Sequence, residues 1–226
     1  VTAAAASLAL AVVHPTYAIF LWIPFAGFVA VRWVWHRDEL RSGAAALAAL
    51  VLPAAAFFVW LLPVVRSTAS VSPDTAERAR SLDQYAGQLH VRSADSFSLA
   101  PEVFGRAGAV AVAALLLIPL AVLATKRRWA AYVVGGSLAV FAVTLVPWVF
   151  APFSDLVSLS QSRRLAGFLP FAFAFAGGMS VLAALAGRFA APLALTGGIV
   201  LQWLYPGDFG YRLEHGGPAW ATWVAV

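Results

Sequence analysis

Along the chain, long apolar runs alternate with short polar connectors. Six runs approach the roughly 20 residues that a helix needs to cross a hydrocarbon core of about 30 Å. They cover 17–35, 44–65, 107–125, 129–150, 165–185 and 189–205, and two shorter runs, 2–13 and 218–226, stand at the ends. In lipid every backbone N–H and C=O must be satisfied inside the protein, and an apolar run without period-two alternation does this as a helix. The pattern predicts an all-α fold: one polytopic transmembrane helical bundle over 1–226, with about six full spans and two partial ones. Because the chain starts at Val1 and stops inside an apolar run, a piece of a longer membrane protein is expected.

The longest connector, 66–106, has a pattern of its own. Ser72-Pro73-Asp74 reads as a helix start, with Pro in the first turn and Asp at the positive end of the helix dipole. Leu82, Tyr85, Ala86 and Leu89 then recur at helical spacing opposite Arg78, Arg80 and Asp83, which predicts a short amphipathic helix on the membrane surface. Residues 97–102 read as an extended stretch whose Pro101 starts the next element. Within the spans, Gly135-Gly136, Gly177-Gly178 and Gly197-Gly198 predict close helix packing. Pro53, Pro119, Pro147 and Pro170 predict kinks, which a bundle tolerates when neighbours satisfy the freed carbonyls.

Composition agrees: 62% of residues are hydrophobic and 11% charged, against roughly half and a quarter in soluble domains. The net charge of +5 does not call for nucleic acid, because most of it lies in connectors, where membrane topology accounts for it. Lys126, Arg127 and Arg128, the residues 35–41 and Arg188 mark one side as cytoplasmic. Alternation then puts 66–106, 151–164 and 206–217 outside an integral cytoplasmic membrane. With no cysteine, disulfides and thiolate chemistry are excluded. No phosphate-binding glycine loop, G-x-S-x-G elbow or H-E-x-x-H pair occurs.

The densest polar chemistry is the stretch 155–165. Ser158-Leu159-Ser160-Gln161 fits a capping box, predicting a helix that starts near Ser158 and enters the membrane. Arg163 and Arg164 would then add two cations to free N–H groups at a helix N-terminus, a seat for phosphate or pyrophosphate. About 100° separates them on a helix, so one can bind a ligand while the other pairs with Asp155 or reaches headgroups. His14, followed by Pro15 at a span start, is placed to hydrogen-bond an anionic headgroup or a sugar. His90 and His215 fall on the same side but lack zinc-like spacing, so no metal is supported. The acids of 74–102 read as solvated loop charges. Trp60, Trp129, Trp148, Trp203 and Tyr205 match an interfacial aromatic belt.

The His14-Pro15-Thr16-Tyr17 opening, the long outside loop and the Ser-Gln-Ser-Arg-Arg stretch leading into Leu-Ala-Gly-Phe-Leu-Pro resemble the middle and C-terminal spans of C-type (GT-C) integral-membrane glycosyltransferases. Multi-span members from high-GC actinobacteria are the nearest in character. The resemblance implies sugar transfer from a polyprenyl-phosphate donor to a lipid, glycan or protein acceptor at the outer membrane face. It implies that Arg163 or Arg164 neutralises the departing phosphate and that His14, Ser160 and Gln161 orient donor or acceptor. The loop from Tyr85 through His90 to Asp95 would close over the acceptor. The family's catalytic carboxylate lies in a first outside loop that this sequence lacks, so the catalytic base is not assigned here. Two other readings stay open: a transporter or flippase of lipid-linked glycans, and an O-antigen-ligase-like transferase with a pyrophosphate donor. Spans almost free of mid-membrane charge argue against the transporter.

Overall fold

The computed structural model describes residues 2–69, 75–124 and 127–209. It is an all-α bundle with a small β-hairpin at one end. The helices are α1 (Thr2–Val13), α2 (Pro15–Trp35), α3 (Leu40–Ala69), α4 (Thr75–Gln84), α5 (Gly108–Leu123), α6 (Arg128–Leu145), α7 (Pro147–Val157), α8 (Leu159–Ser162), α9 (Phe171–Ala186) and α10 (Ala190–Leu204). Strands β1 (Leu89–Ser93) and β2 (Ser96–Leu99) pair antiparallel. Four segments are long and apolar enough to cross a membrane: Pro15–Trp35, Arg37–Val64, Arg128–Leu145 and Leu159–Leu204, and Thr2–Val13 and Gly108–Leu123 are shorter apolar helices. The protein is therefore a membrane protein built from spanning helices. The predicted partial span 218–226 lies outside the described residues, as do Ser72-Pro73-Asp74, Lys126 and His215.

The helices sit where the apolar runs are, with boundaries set by proline and glycine. Pro15 occupies the first turn of α2, where its missing N–H costs nothing. Pro147 ends α6 and starts α7, so the run read as one span over 129–150 is two helices. Gly187, at φ 54°, turns the chain between α9 and α10. The reversal brings Asp208, just beyond α10, back to α5, where its Oδ2 accepts the Ala109 N–H at 2.8 Å and caps that helix.

Two glycine contacts set the packing. α2 lies along α6, and Gly27 and Gly135 face each other so closely that a Cβ on either would strike the other's carbonyl. α5 lies along α9, where a Cβ on Gly178 would meet the Leu117 carbonyl and one on Gly177 the Trp129 ring. Gly197 and Gly198 differ: nothing lies within 4 Å of the Cβ position of either, and α10 buries no residue. Among the described residues that pair has no packing partner.

At the end opposite the hairpin, Arg32 is only 6% exposed despite standing in an apolar helix. Its guanidinium holds Glu39 through Nη2–Oε1 at 2.5 Å and Nε–Oε2 at 2.8 Å, and Arg128 adds a contact to the same carboxylate at 3.4 Å. This cluster ties α2, the 3₁₀ turn Arg37–Glu39 and α6 together. The two-point geometry offsets the cost of burying the charges, and losing one partner would strand the other.

Within the long connector, residues 75–104 form a small folded cap. Leu82 of α4, Leu89 of β1 and Phe97 and Leu99 of β2 bury against Phe150 and Ala151 of α7, with Phe97 edge-on to Phe150 at 5.9 Å. The short helix expected here is α4, but it ends at Gln84, Leu89 belongs to a strand, and the apolar residues close on the hairpin and α7. Arg78 of α4 pairs with Asp155 of α7 at 3.2 Å and lies 5.9 Å from the Phe97 ring centre, tying the cap to the bundle.

The glycine contacts yield a direct test. Gly135→Val should lower stability by at least about 2 kcal/mol through overpacking against the α2 backbone. Gly198→Val should stay within roughly 0.5 kcal/mol beyond its intrinsic helix propensity. Thermal unfolding of the two variants in one detergent compares them, and equal losses would refute the packing argument.

Candidate functional site

The site is built on a corner of strained backbone. α7 ends at Ser158, whose φ of 74° and ψ of 150° lie in a region that side chains other than glycine avoid. Among the described residues it is the one non-glycine with positive φ. Its Oγ accepts the Gln161 N–H at 3.4 Å, the capping-box contact in loose form. The helix it opens does not continue: α8 is one turn, and residues Arg163–Phe168 form a 3₁₀ helix that stops before Pro170. Proline disfavours helical backbone in the residue before it, which ends the turn at Leu169. The helix expected to start near Ser158 does start there, at Leu159, but it makes one α turn and passes into the 3₁₀ segment before α9 begins at Phe171. Arg163 and Arg164 sit in that 3₁₀ segment and not at a long helix's N-terminus.

What positions Arg163 is the cap. Its guanidinium lies over the Tyr85 ring, 3.6 Å from the centroid, and its Nη1 donates to Oε1 of Gln88. Tyr85 precedes and Gln88 closes the 3₁₀ turn Ala86–Gln88 between α4 and β1. The Tyr85 phenol is hydrogen-bonded to Ser160, which holds its pKa below the ordinary tyrosine value, and the nearby Arg163 and Arg164 charges add to that lowering. A cation over an aromatic face gains roughly 0.5–2 kcal/mol, and here the contact joins α8 and its continuation to a residue 78 positions earlier in the chain (163 minus 85).

Two polar atoms here are buried without a hydrogen-bond partner: Nε of Arg163 and Oε1 of Gln161. Among the described residues Arg163 has no carboxylate within ion-pair distance. Asp155, expected to pair with one of the two arginines, is instead engaged by Arg78. Arg164 is exposed, so the structure separates two cations that the sequence treats alike.

His14 stands beside the far end of the same turn. Its ring stacks on Tyr17 at 3.7 Å and 22°, and Tyr17 meets Phe168, the last residue of the 3₁₀ helix, at 5.4 Å edge-on. Nδ1 of His14 is a third buried polar atom without a partner. Phe20, Val140 and Leu165 form the core beneath, with Phe153 and Phe168 packed on it. Arg163, Gln161, Ser160, Tyr85 and Gln88 thus form one cluster, and His14 borders its supporting turn. His90 is exposed on β1 opposite Ser98, away from the buried Leu89 side. Among the described residues no three His, Asp or Glu side chains gather as a metal site.

Gln88 and Arg78 were missed by sequence reasoning. Their partners lie 75 and 77 positions away, and only the fold of the cap brings them together. Comparison with protein-family models, with curated proteins and with solved structures finds no match for this chain.

The Tyr85 environment is measurable by phenolate absorbance. Tyr85 should ionise at lower pH than an ordinary tyrosine, its contribution identified by loss of one titrating group in Tyr85→Phe. Ser160→Ala should move that titration upward. An unmoved titration in Ser160→Ala would remove the hydrogen bond from the account.

Proposed function

We propose that this chain acts as a membrane glycosyltransferase of the GT-C type, transferring a sugar from a polyprenyl-phosphate donor to a lipid, glycan or protein acceptor. The observation that carries the reading is Arg163: a partly buried guanidinium held by neutral groups, Tyr85 and Gln88, with one N–H unpartnered. Buried cations pair with anions as a rule. Within the described residues this one does not, which favours an anion brought by a ligand.

The cap end is assigned to the extracytoplasmic side. Arg37, Arg127, Arg128 and Arg188 all belong to turns at the other end, as the positive-inside tendency requires. The site then lies where helix ends meet the membrane boundary, a suitable level for a lipid phosphate whose tail stays in the bilayer.

In this reading an acceptor hydroxyl attacks the anomeric carbon while the bond from that carbon to the phosphate oxygen breaks. The departing phosphate takes the electron pair, and the hydroxyl proton passes to a base outside the residues assigned here. Arg163 stabilises the charge that grows on the phosphate, and Tyr85 and Gln88 keep the guanidinium in place before the reaction begins. Gln161 Oε1 accepts a sugar hydroxyl, and His14 borders the acceptor or headgroup side. This reading routes no step of the transfer through a protein-bound cofactor.

A pathway for transport would want charge in mid-span. The charge cluster of buried Arg32 with Glu39 and exposed Arg128 instead sits at the end remote from the cap, which supports transfer over transport.

The test is transfer from a polyprenyl-phosphate sugar by the full-length protein in proteoliposomes. Arg163→Gln should lower kcat by about a hundredfold, the scale of removing one charge-stabilising donor. Arg164→Gln should change it less than about threefold, since an exposed surface charge contributes little. Equal activity of Arg163→Gln and the parent would refute the site, and flux of intact donor without product would favour a transporter.

A further inference from the structure

A second feature, separate from Arg163, lies between α5, α6 and α9. These helices leave a groove of about 300 Å³ lined by Ile118 and Val122 of α5, Val134 and Leu138 of α6, and Phe171 and Ala174 of α9. Leu138 is 60% exposed, so the groove is open to its surroundings. Along α6 it runs from Val133 to Phe141, about 12 Å at the helical rise.

Its cap end is marked by a cation. The Arg106 guanidinium lies 5.2 Å from the ring centre of Phe171, which lines the groove. Phe104, two residues earlier, packs edge-on at 5.0 Å against Phe141, at the same end. Nη1 of Arg106 donates to the Gly105 carbonyl at 2.8 Å and reaches that of Val103 at 3.4 Å. Among the described residues Arg106 pairs with no carboxylate. Asp208, the acid at the adjoining start of α5, is committed to the Ala109 N–H.

We propose that this groove holds one acyl chain of an anionic bilayer phospholipid, with Arg106 binding its phosphate headgroup. Charge and length decide the occupant. An apolar trough inside the hydrocarbon layer takes a hydrocarbon chain, and a cation without a carboxylate at its rim selects a negative headgroup. Half of a hydrocarbon core of about 30 Å is about 15 Å. A groove of about 12 Å stays within one leaflet, as an acyl chain does, whereas a polyprenyl chain is long enough to continue across. The site does not depend on the reading of Arg163 and would hold in a protein of any activity.

Photolabelling in lipid nanodiscs tests it. The full chain is placed in phosphatidylcholine discs containing phosphatidylglycerol with a diazirine in its acyl chain, and labelled peptides are located by mass spectrometry. The expected label concentrates on α5, α6 and α9 and exceeds that from the matching phosphatidylcholine probe. Arg106→Gln should reduce this headgroup preference about fivefold, while Arg106→Lys retains most of it. Ser137 of α6 also lines the groove, and Ser137→Phe, which fills it, should abolish the concentrated label while leaving background label on α10 unchanged. Even labelling of α10 and the groove helices, or no headgroup preference in the parent protein, would overturn the proposal. So would displacement of the label by an equal mole fraction of polyprenyl phosphate, which would assign the groove to that lipid.

Discussion

The approach of α2 to α6 at Gly27 and Gly135 is the contact on which the rest of the structure depends. α2 carries α1 and α3 on one side, while α6 is joined to α5, α7 and α9 on the other, so this seam unites two groups of helices. In a bilayer, apolar side chains gain little by leaving lipid for protein, and association rests on close backbone approach and on polar contacts. Both are present along one seam. The glycines set the spacing, and the Arg32, Glu39 and Arg128 cluster fixes the register at its far end.

That seam delivers His14 and Arg163 to the same region. His14 opens α2, and the turn carrying Arg163 packs against both α2 and α6. The aromatic series from Tyr17 and Phe20 through Phe168 and Phe153 fills the space between them. A shift of α2 along α6 would therefore move His14 and Tyr17 against the turn and disturb Phe168 at one end, as it pulled on the Arg32, Glu39 and Arg128 cluster at the other. Site geometry and bundle packing are one property here, which is why Gly135, remote from the site in chemistry, governs it in space.

What could be read in the sequence follows from the range of each interaction. Spans were legible because a helix and its apolar surroundings are specified by consecutive residues: α2, α3, α5 and α10 fall on the runs read for them. Gly135-Gly136 and Gly177-Gly178 read correctly as packing positions, whereas Gly197-Gly198 has the same sequence signature and, among the described residues, no neighbour. The hairpin was illegible because strands of five and four residues, one with four exposed positions, leave little alternation to detect. Arg32 was hidden inside a run whose hydropathy is high in spite of it. Its partner Glu39 comes from the next turn, seven residues on.

The site itself divides along the same line. Ser158 and Gln161 do make the contact their spacing implies, yet the helix stops after one turn, because Pro170 and a 3₁₀ segment override a signal that specifies only a start. The stop matters chemically. Had the helix continued, Arg163 and Arg164 would have pointed about 100° apart on one rigid cylinder. In the observed turn Arg163 lies on Tyr85 while Arg164 stays exposed. Desolvation thus falls on one guanidinium alone. A solvated arginine attracts any passing anion weakly, whereas one partly withdrawn from water and held by neutral neighbours gains most from an anion that reaches it. The break in the helix makes two cations that the sequence treats alike unequal in their surroundings, and it does so through the 3₁₀ segment before Pro170 and the fold of a cap whose residues lie some 75 positions away.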